Sequence, residues 1–228
     1  MLNIKEMMLG SSESDYKDFT RGLVPTGKTI LGVRTPRIKQ LAKQVLAECS
    51  AEEIIVSVDD SVYEEIMLCG FVIAYDRRPI MSKTKIIESF VRGIDNWAIC
   101  DSFAAALKVR KDEIQKVRVW LNGFLDSHVE FEKRFGLVML LDYFVTAEHI
   151  GDVLSVCARA VETDYYIAMA AAWLLAECYI KQPALTEAFF ENNATLPKFT
   201  YNKAIQKICE SYRVLPDDKV KLRALRRA

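Results

Sequence analysis

Asp95-Asn96-Trp97-Ala98-Ile99-Cys100-Asp101 is the stretch on which the reading of this chain turns. Asp95 can accept backbone N–H groups at a helix N-terminus, and the apolar run Phe103-Ala104-Ala105-Ala106-Leu107 follows, so a helix is expected over 96–108. Runs of the same kind begin near Glu64, Phe131, Tyr165 and Phe199, about 34 residues apart, each preceded by a shorter helix. Helix pairs at this period, with weak identity between them, mark an α-solenoid. One pair cannot cover its own apolar face, so neighbours must stack on it. The expected fold class is therefore all-α, an α-solenoid of HEAT-like antiparallel helix pairs, curved, with the long helices lining a concave groove.

The rest of the chain agrees with this pattern. Helical periodicity predicts further helices at 51–58, 61–76, 83–93, 111–124, 128–145, 147–160, 164–180, 183–193, 199–213 and 216–227. Nearer the start, Ile30-Leu31-Gly32-Val33-Arg34-Thr35-Pro36 leads into an amphipathic helix through Leu46, with Thr35 expected as N-cap and Pro36 at the first helical position. Breaks fall at Arg78-Pro79, Gly93, Gly123, Gln182-Pro183 and Pro197, and Pro216 opens the last helix. No linker rich in Gly, Ser or Pro divides the chain, which predicts a single domain over 1–228.

Composition narrows the chemistry. The 31 basic and 31 acidic residues cancel, so no global field steers the protein onto nucleic acid and any basic surface must be local. The cysteines (49, 69, 100, 157, 178, 209) are scattered without a CxxC pair, which reads as reduced, buried thiols and a cytoplasmic protein. His128 and His149 have no ligand spacing with cysteine, so no metal and no cofactor are expected. Met1-Leu2-Asn3-Ile4-Lys5-Glu6 is amphipathic and lacks the apolar core of a signal peptide. No uncharged segment is long enough to span a bilayer, so no membrane partner is expected.

Several side chains stand out against this background. Trp97 and Asp101 are four apart and share a helix face, which suits a ligand that is flat or sugar-like and positively charged; the alternative is a core indole and a solvated acid. Arg134 interrupts an otherwise apolar helix, where it either pairs with a carboxylate such as Asp142 or Asp101 or holds a phosphate. Tyr166, Ala170, Trp173 and Glu177 form one stripe, and alanines around them permit close approach by a neighbouring helix or a ligand. Arg37, Lys39 and Lys43 make the start of one helix basic. Tyr201, Ile205, Ile208 and Tyr212 are expected to pack, while Asn202, Lys203, Gln206 and Lys207 face outward. From residue 201 onward eight basic residues meet three acids, an excess that fits either helix-dipole compensation or a phosphate-backbone footprint.

Together these stretches resemble the DNA alkylation repair family, the AlkD-like HEAT-repeat DNA glycosylases. The resemblance rests on Gly32-Val33-Arg34-Thr35-Pro36 with Leu41-Ala42-Lys43, on Asn96-Trp97-x-x-x-Asp101, on Lys133-Arg134-Phe135, on Ala172-Trp173-Leu174, and on Phe199-Thr200-x-Asn202-Lys203-Ala204-Ile205-Gln206. It implies a monomer that holds double-stranded DNA in its concave groove and releases cationic N3- or N7-alkylated purines without the usual base extrusion. On the same resemblance the catalytic group would be Asp101, Trp97 and Trp173, with both indoles against the deoxyribose and Asp101 facing the sugar cation. Arg134, Arg37, Lys43, Asn202, Lys203 and Lys207 would contact DNA. Two departures stand beside this: the chain is neutral overall, and Ile167, Ala168 and Met169 offer no polar contact near Trp173. A non-catalytic binder of damaged or branched DNA, or a protein-binding scaffold, is the alternative.

Overall fold

The computed structural model of the protein describes residues 4–160, 164–193 and 195–227; Met1, Leu2 and Asn3, part of the amphipathic start, lie outside them. Its helices are α1 (Ile4–Leu9), α2 (Ser14–Leu23), α3 (Thr35–Glu48), α4 (Ala51–Ile55), α5 (Tyr63–Tyr75), α6 (Thr84–Arg92), α7 (Trp97–Ala106) and α8 (Ile114–Trp120). They continue as α9 (Asn122–Leu125), α10 (Glu130–Tyr143), α11 (Ile150–Arg159), α12 (Tyr165–Lys181), α13 (Pro183–Asn192), α14 (Lys198–Glu210) and α15 (Pro216–Ala224). Among the described residues there is no β-strand, only isolated bridges between Ser12 and Val33 and between Thr29 and Val62. The fold is all-α, as the periodicity requires.

Two compact units make up the chain, Met1–Val119 and Trp120–Ala228. In the first, α5 packs against both α3 and α7; in the second, α12 packs against both α10 and α14. The shorter helices pack beside these rows, α4 on α5 and α13 on α12. Such stacking of alternate helices is the solenoid arrangement. Residue character decides which helix is central. Most of α5 and ten of the 17 residues of α12 are buried, since apolar or small residues run over most of each surface. By contrast α6 is two-faced, burying Ile86, Ile87, Phe90 and Val91 and exposing Lys85 and Arg92.

The row helices after α3 start at Tyr63, Trp97, Glu130, Tyr165 and Lys198, at intervals of 33 to 35 residues. Stacking therefore sets residue i beside a residue about one repeat away. The polar ties follow that rule. Glu64 accepts from the backbone N–H groups of Leu31 (2.8 Å), Gly32 (2.7 Å) and Val33 (3.2 Å). Glu113 accepts from Ile80 and Met81, and Glu130 from Tyr166. Gly32 itself sits at φ +92°, and a Cβ there would lie 2.4 Å from the Glu13 carbonyl oxygen, so only glycine fits.

Two capping expectations shift by one residue. Thr35 is the first helical residue of α3, and Arg34 precedes it in extended conformation as the cap, with no side-chain bond. Pro36 thus stands at the second position, where its missing N–H leaves one fewer donor to satisfy. At α7 the cap is Asn96, whose Oδ1 accepts from the Ile99 N–H at 3.0 Å, while Asp95 stands outside the helix. Tyr212 does not pack: it is 95% exposed, because α14 has already ended at Glu210. Four of the cysteines (69, 100, 157, 178) are buried and two (49, 209) half-buried, and burial pushes the Cys69 and Cys178 thiols up to about 12. No described helix is long and apolar enough to cross a membrane.

Candidate functional site

In the first unit the site candidates gather on α7. Trp97 is its first residue and Asp101 lies one turn later; both are half-buried. The start of this helix is fixed by a chain of side-chain bonds. Thr26 Oγ1 donates to Asp95 Oδ2 (2.8 Å), Asn96 Nδ2 donates to Asp95 Oδ1 (2.7 Å), and Asn96 caps Ile99 from a fully buried position. Asp95, expected from its chemistry as the cap, therefore supports the cap and does not form it. The result is a rigid base for Trp97, whose indole and the Asp101 carboxylate retain part of their surface for solvent or a ligand.

Arg37 and Lys43 lie on α3, with α5 packed between that helix and α7. Arg37 donates through Nε to Ser11 Oγ at 3.1 Å, tying α3 to the turn after α1. Lys43 is exposed, with Nζ 5.7 Å from the centre of the Tyr75 ring, and Lys39 stands in the same way 5.2 Å over Phe71. These cations border an aromatic seam on α5, where Phe71 and Tyr75 stack.

In the second unit, Trp173 is exposed at 37% on α12 and sits among buried alanines at 170, 171 and 172. Glu177, one turn on, is engaged: Arg213 donates to it through both terminal nitrogens, at 3.1 and 2.7 Å. That fork holds the Glu177 carboxyl below the usual carboxylate range. A depressed value stabilises the fold above the ordinary carboxylate value of 4.5 and loses that contribution as pH falls through the lower, folded value. Arg213→Gln is expected to cost about 0.5–1 kcal/mol in urea unfolding at neutral pH, because the Arg213 side chain is 49% exposed and solvent screens the pair. The difference from wild type should vanish once the solution is acid enough to protonate Glu177; an equal difference at all pH values would refute the assignment.

Arg134 sits on α10, 6% exposed, and donates through Nη1 to the Tyr166 carbonyl at 2.8 Å. With Glu130 accepting from the Tyr166 N–H, α10 binds both backbone groups of one residue at the start of α12. A backbone carbonyl about one repeat away is thus one partner of Arg134. Asn202 is likewise occupied, donating to the Arg227 carbonyl and accepting from the Arg227 N–H, each at 2.9 Å. Lys203 bonds Gln206 Oε1 at 2.9 Å and stands 5.9 Å over Phe199, and Lys207 is half-buried. Arg227 packs 3.9 Å over Tyr201 and donates to the carbonyls of Leu196 and Asn193. Part of the C-terminal basic excess is thus spent on structure.

Each unit brings together its own share of the expected residues: Trp97 and Asp101 on α7, and Arg134, Trp173 and the α14 lysines on three adjoining helices. The carboxylates that gather backbone donors, Glu64, Glu113 and Glu130, were not singled out by sequence reading; each sits about one repeat from its partners, which is the signal that reveals them. No group of three or more metal-ligating side chains occurs among the described residues. A sequence profile of the family described as DNA alkylation repair enzyme matches residues 11–208. Comparison with curated proteins gives no match.

Proposed function

Because the chain belongs to the family of DNA alkylation repair enzymes, we propose that it hydrolyses the N-glycosidic bond of cationic N3- or N7-alkylated purines in double-stranded DNA. Family membership supports the role in DNA repair; the finer reading rests on α7, where a half-buried indole and a half-buried carboxylate share a face behind a buried Asn96 cap.

The chemistry suits these groups. An alkylated purine carries positive charge, so when the C1′–N bond breaks the electron pair leaves with the base and neutralises it, and no strong general acid is required. Positive charge then builds on the sugar. The Asp101 carboxylate stabilises it in a partly desolvated site and holds the water whose oxygen attacks C1′, taking up the proton that this water loses and passing it to solvent. Trp97, one turn before Asp101 on the same helix, presents a ring face that favours the cationic sugar. No cofactor enters these steps. Arg37 and Lys43 in the first unit, and Lys203 and Lys207 in the second, contact DNA phosphates, the protein acting as a monomer in the cytoplasm. Incubation with duplex DNA carrying N7-methylguanine, with chromatographic measurement of free base, tests the reading; a wild-type protein that releases none would overturn it.

Binding to duplex DNA should depend on salt and on α14. Lys203→Glu with Lys207→Glu is expected to weaken binding across all sequences and to reduce the salt slope by roughly two, since each phosphate contact releases about one counterion. Titration between about 50 and 200 mM salt checks this; an unchanged slope would remove α14 from the interface.

A second reading, a non-catalytic binder of damaged or branched DNA, is favoured by Ile167, Ala168 and Met169, which offer no polar contact near Trp173. Base release separates the two readings directly.

A further inference from the structure

At the C-terminal ends of α3 and α5 the first unit holds a pocket of about 780 Å³ lined by Lys43, Tyr75, Asp76, Arg77, Arg78, Lys83, Lys108 and Arg110, with aliphatic contacts from Leu46, Ala47 and Ala74. Six of its lining residues are cationic and one is acidic. Some of this charge has a structural purpose, because helix C-termini present carbonyl groups that attract cations. Lys83 is buried and donates to the carbonyls of Ile73 (2.8 Å) and Asp76 (2.6 Å), closing the end of α5. Arg110 donates to the Arg77 carbonyl at 2.7 Å. Arg78 bonds both Asp76 Oδ2 and Glu52 Oε1, so one arginine neutralises the carboxylates at hand.

Arg77 and Lys108 are exposed, neither donates to an acidic group, and Lys43 has only the face of Tyr75. Counting Glu52 with the lining, cations exceed acids by four. Holding like charges together in a concave wall is unfavourable unless an anion shares them, and a cleft concentrates their field. The volume lies within the range of ligand pockets, about 300–1,000 Å³. Arginine forks and lysine ammonium groups at three separate points suit the spread oxygens of phosphate better than one carboxylate.

We propose that this pocket binds a ligand bearing two or more phosphate groups, supplied either by a free small molecule or by successive phosphates of a nucleic-acid strand. The proposal stands on the first unit alone and does not depend on base excision at Asp101. Titration calorimetry of the full chain with inorganic pyrophosphate is the test, repeated on Arg77→Glu with Lys108→Glu. Both side chains are exposed, so the variant should fold, as circular dichroism will check. Wild type should bind saturably, and the variant should bind about tenfold more weakly or worse, as expected for losing charge-assisted contacts. Competition then identifies the source. If pyrophosphate displaces duplex DNA and the variant binds DNA more weakly, strand phosphates occupy the pocket; if DNA binding is indifferent to both, the ligand is a free phosphate compound. No saturable pyrophosphate binding by wild type, or equal binding by the folded variant, would overturn the proposal.

Discussion

Asp101→Asn should abolish most base excision while leaving the fold and DNA affinity close to wild type. The amide matches the carboxylate in size, so the half-buried position on α7 can be kept without repacking. What it cannot supply is a full negative charge facing the sugar as C1′ becomes cationic. Removing one such preorganised electrostatic group costs on the order of a hundredfold to a thousandfold in rate. Single-turnover excision on N7-methylguanine duplex, with melting temperature and DNA affinity measured on the same sample, checks this. A variant that excises at the wild-type rate would sink the catalytic assignment. A variant that loses activity only in proportion to a lost melting transition would make Asp101 a structural residue.

The same experiment bears on how Trp97 is read. An indole at the first position of a helix has little helix-forming role, and this one is not fully covered. Its setting is unusually fixed, since Thr26, Asp95, Asn96 and Ile99 are linked by successive hydrogen bonds. Such support is what a positioned catalytic pair requires, because small displacements of a reacting group are costly.

Most helix positions were legible in the sequence because two signals coincided; the helix expected over 111–124 is instead divided between α8 and α9, and Gly123, expected as a break, lies inside α9. Apolar periodicity placed the row helices, and Pro79, Gly93, Pro183, Pro197 and Pro216 marked their limits. Cap identity was less legible: Asp95 and Asn96 have similar capping chemistry, and the extended backbone at Asn96 with its bond from the Ile99 N–H assigns the cap there. Arg134 illustrates a different gap. Stacking of repeats brings the Tyr166 carbonyl to its guanidinium, and backbone groups leave no compositional trace. Similarly, the basic C-terminus read as a surface feature, whereas Asn202 and Arg227 join α14 to the chain end. The basic pocket escaped notice because its cations come from α3 and two loops, each unremarkable alone.

Glu64→Ala should destabilise the first unit more than any surface change. This carboxylate is 1% exposed and accepts from three consecutive backbone N–H groups, at Leu31, Gly32 and Val33. Those donors belong to the loop whose Gly32 has a left-handed backbone, a conformation that turns successive N–H groups toward one side chain. The same loop is held from its other edge, since Gly32 O accepts from the Glu13 N–H at 3.0 Å. Removing the carboxylate leaves buried donors without an acceptor, and each unsatisfied group costs about 1–3 kcal/mol, reduced where water can enter the space. A loss of roughly 3–5 kcal/mol is therefore expected, comparable to breaking a buried ionic contact. Glu64→Gln should recover part of it, because the amide oxygen can still accept while the amide nitrogen faces donors it cannot satisfy. Urea unfolding of the three proteins, followed by circular dichroism, gives the order wild type, Gln, Ala. An alanine variant within about 1 kcal/mol of wild type, the typical effect of a single substitution, would show that the Gly32 loop is held by other contacts and that Glu64 does not anchor α5 to the start of α3.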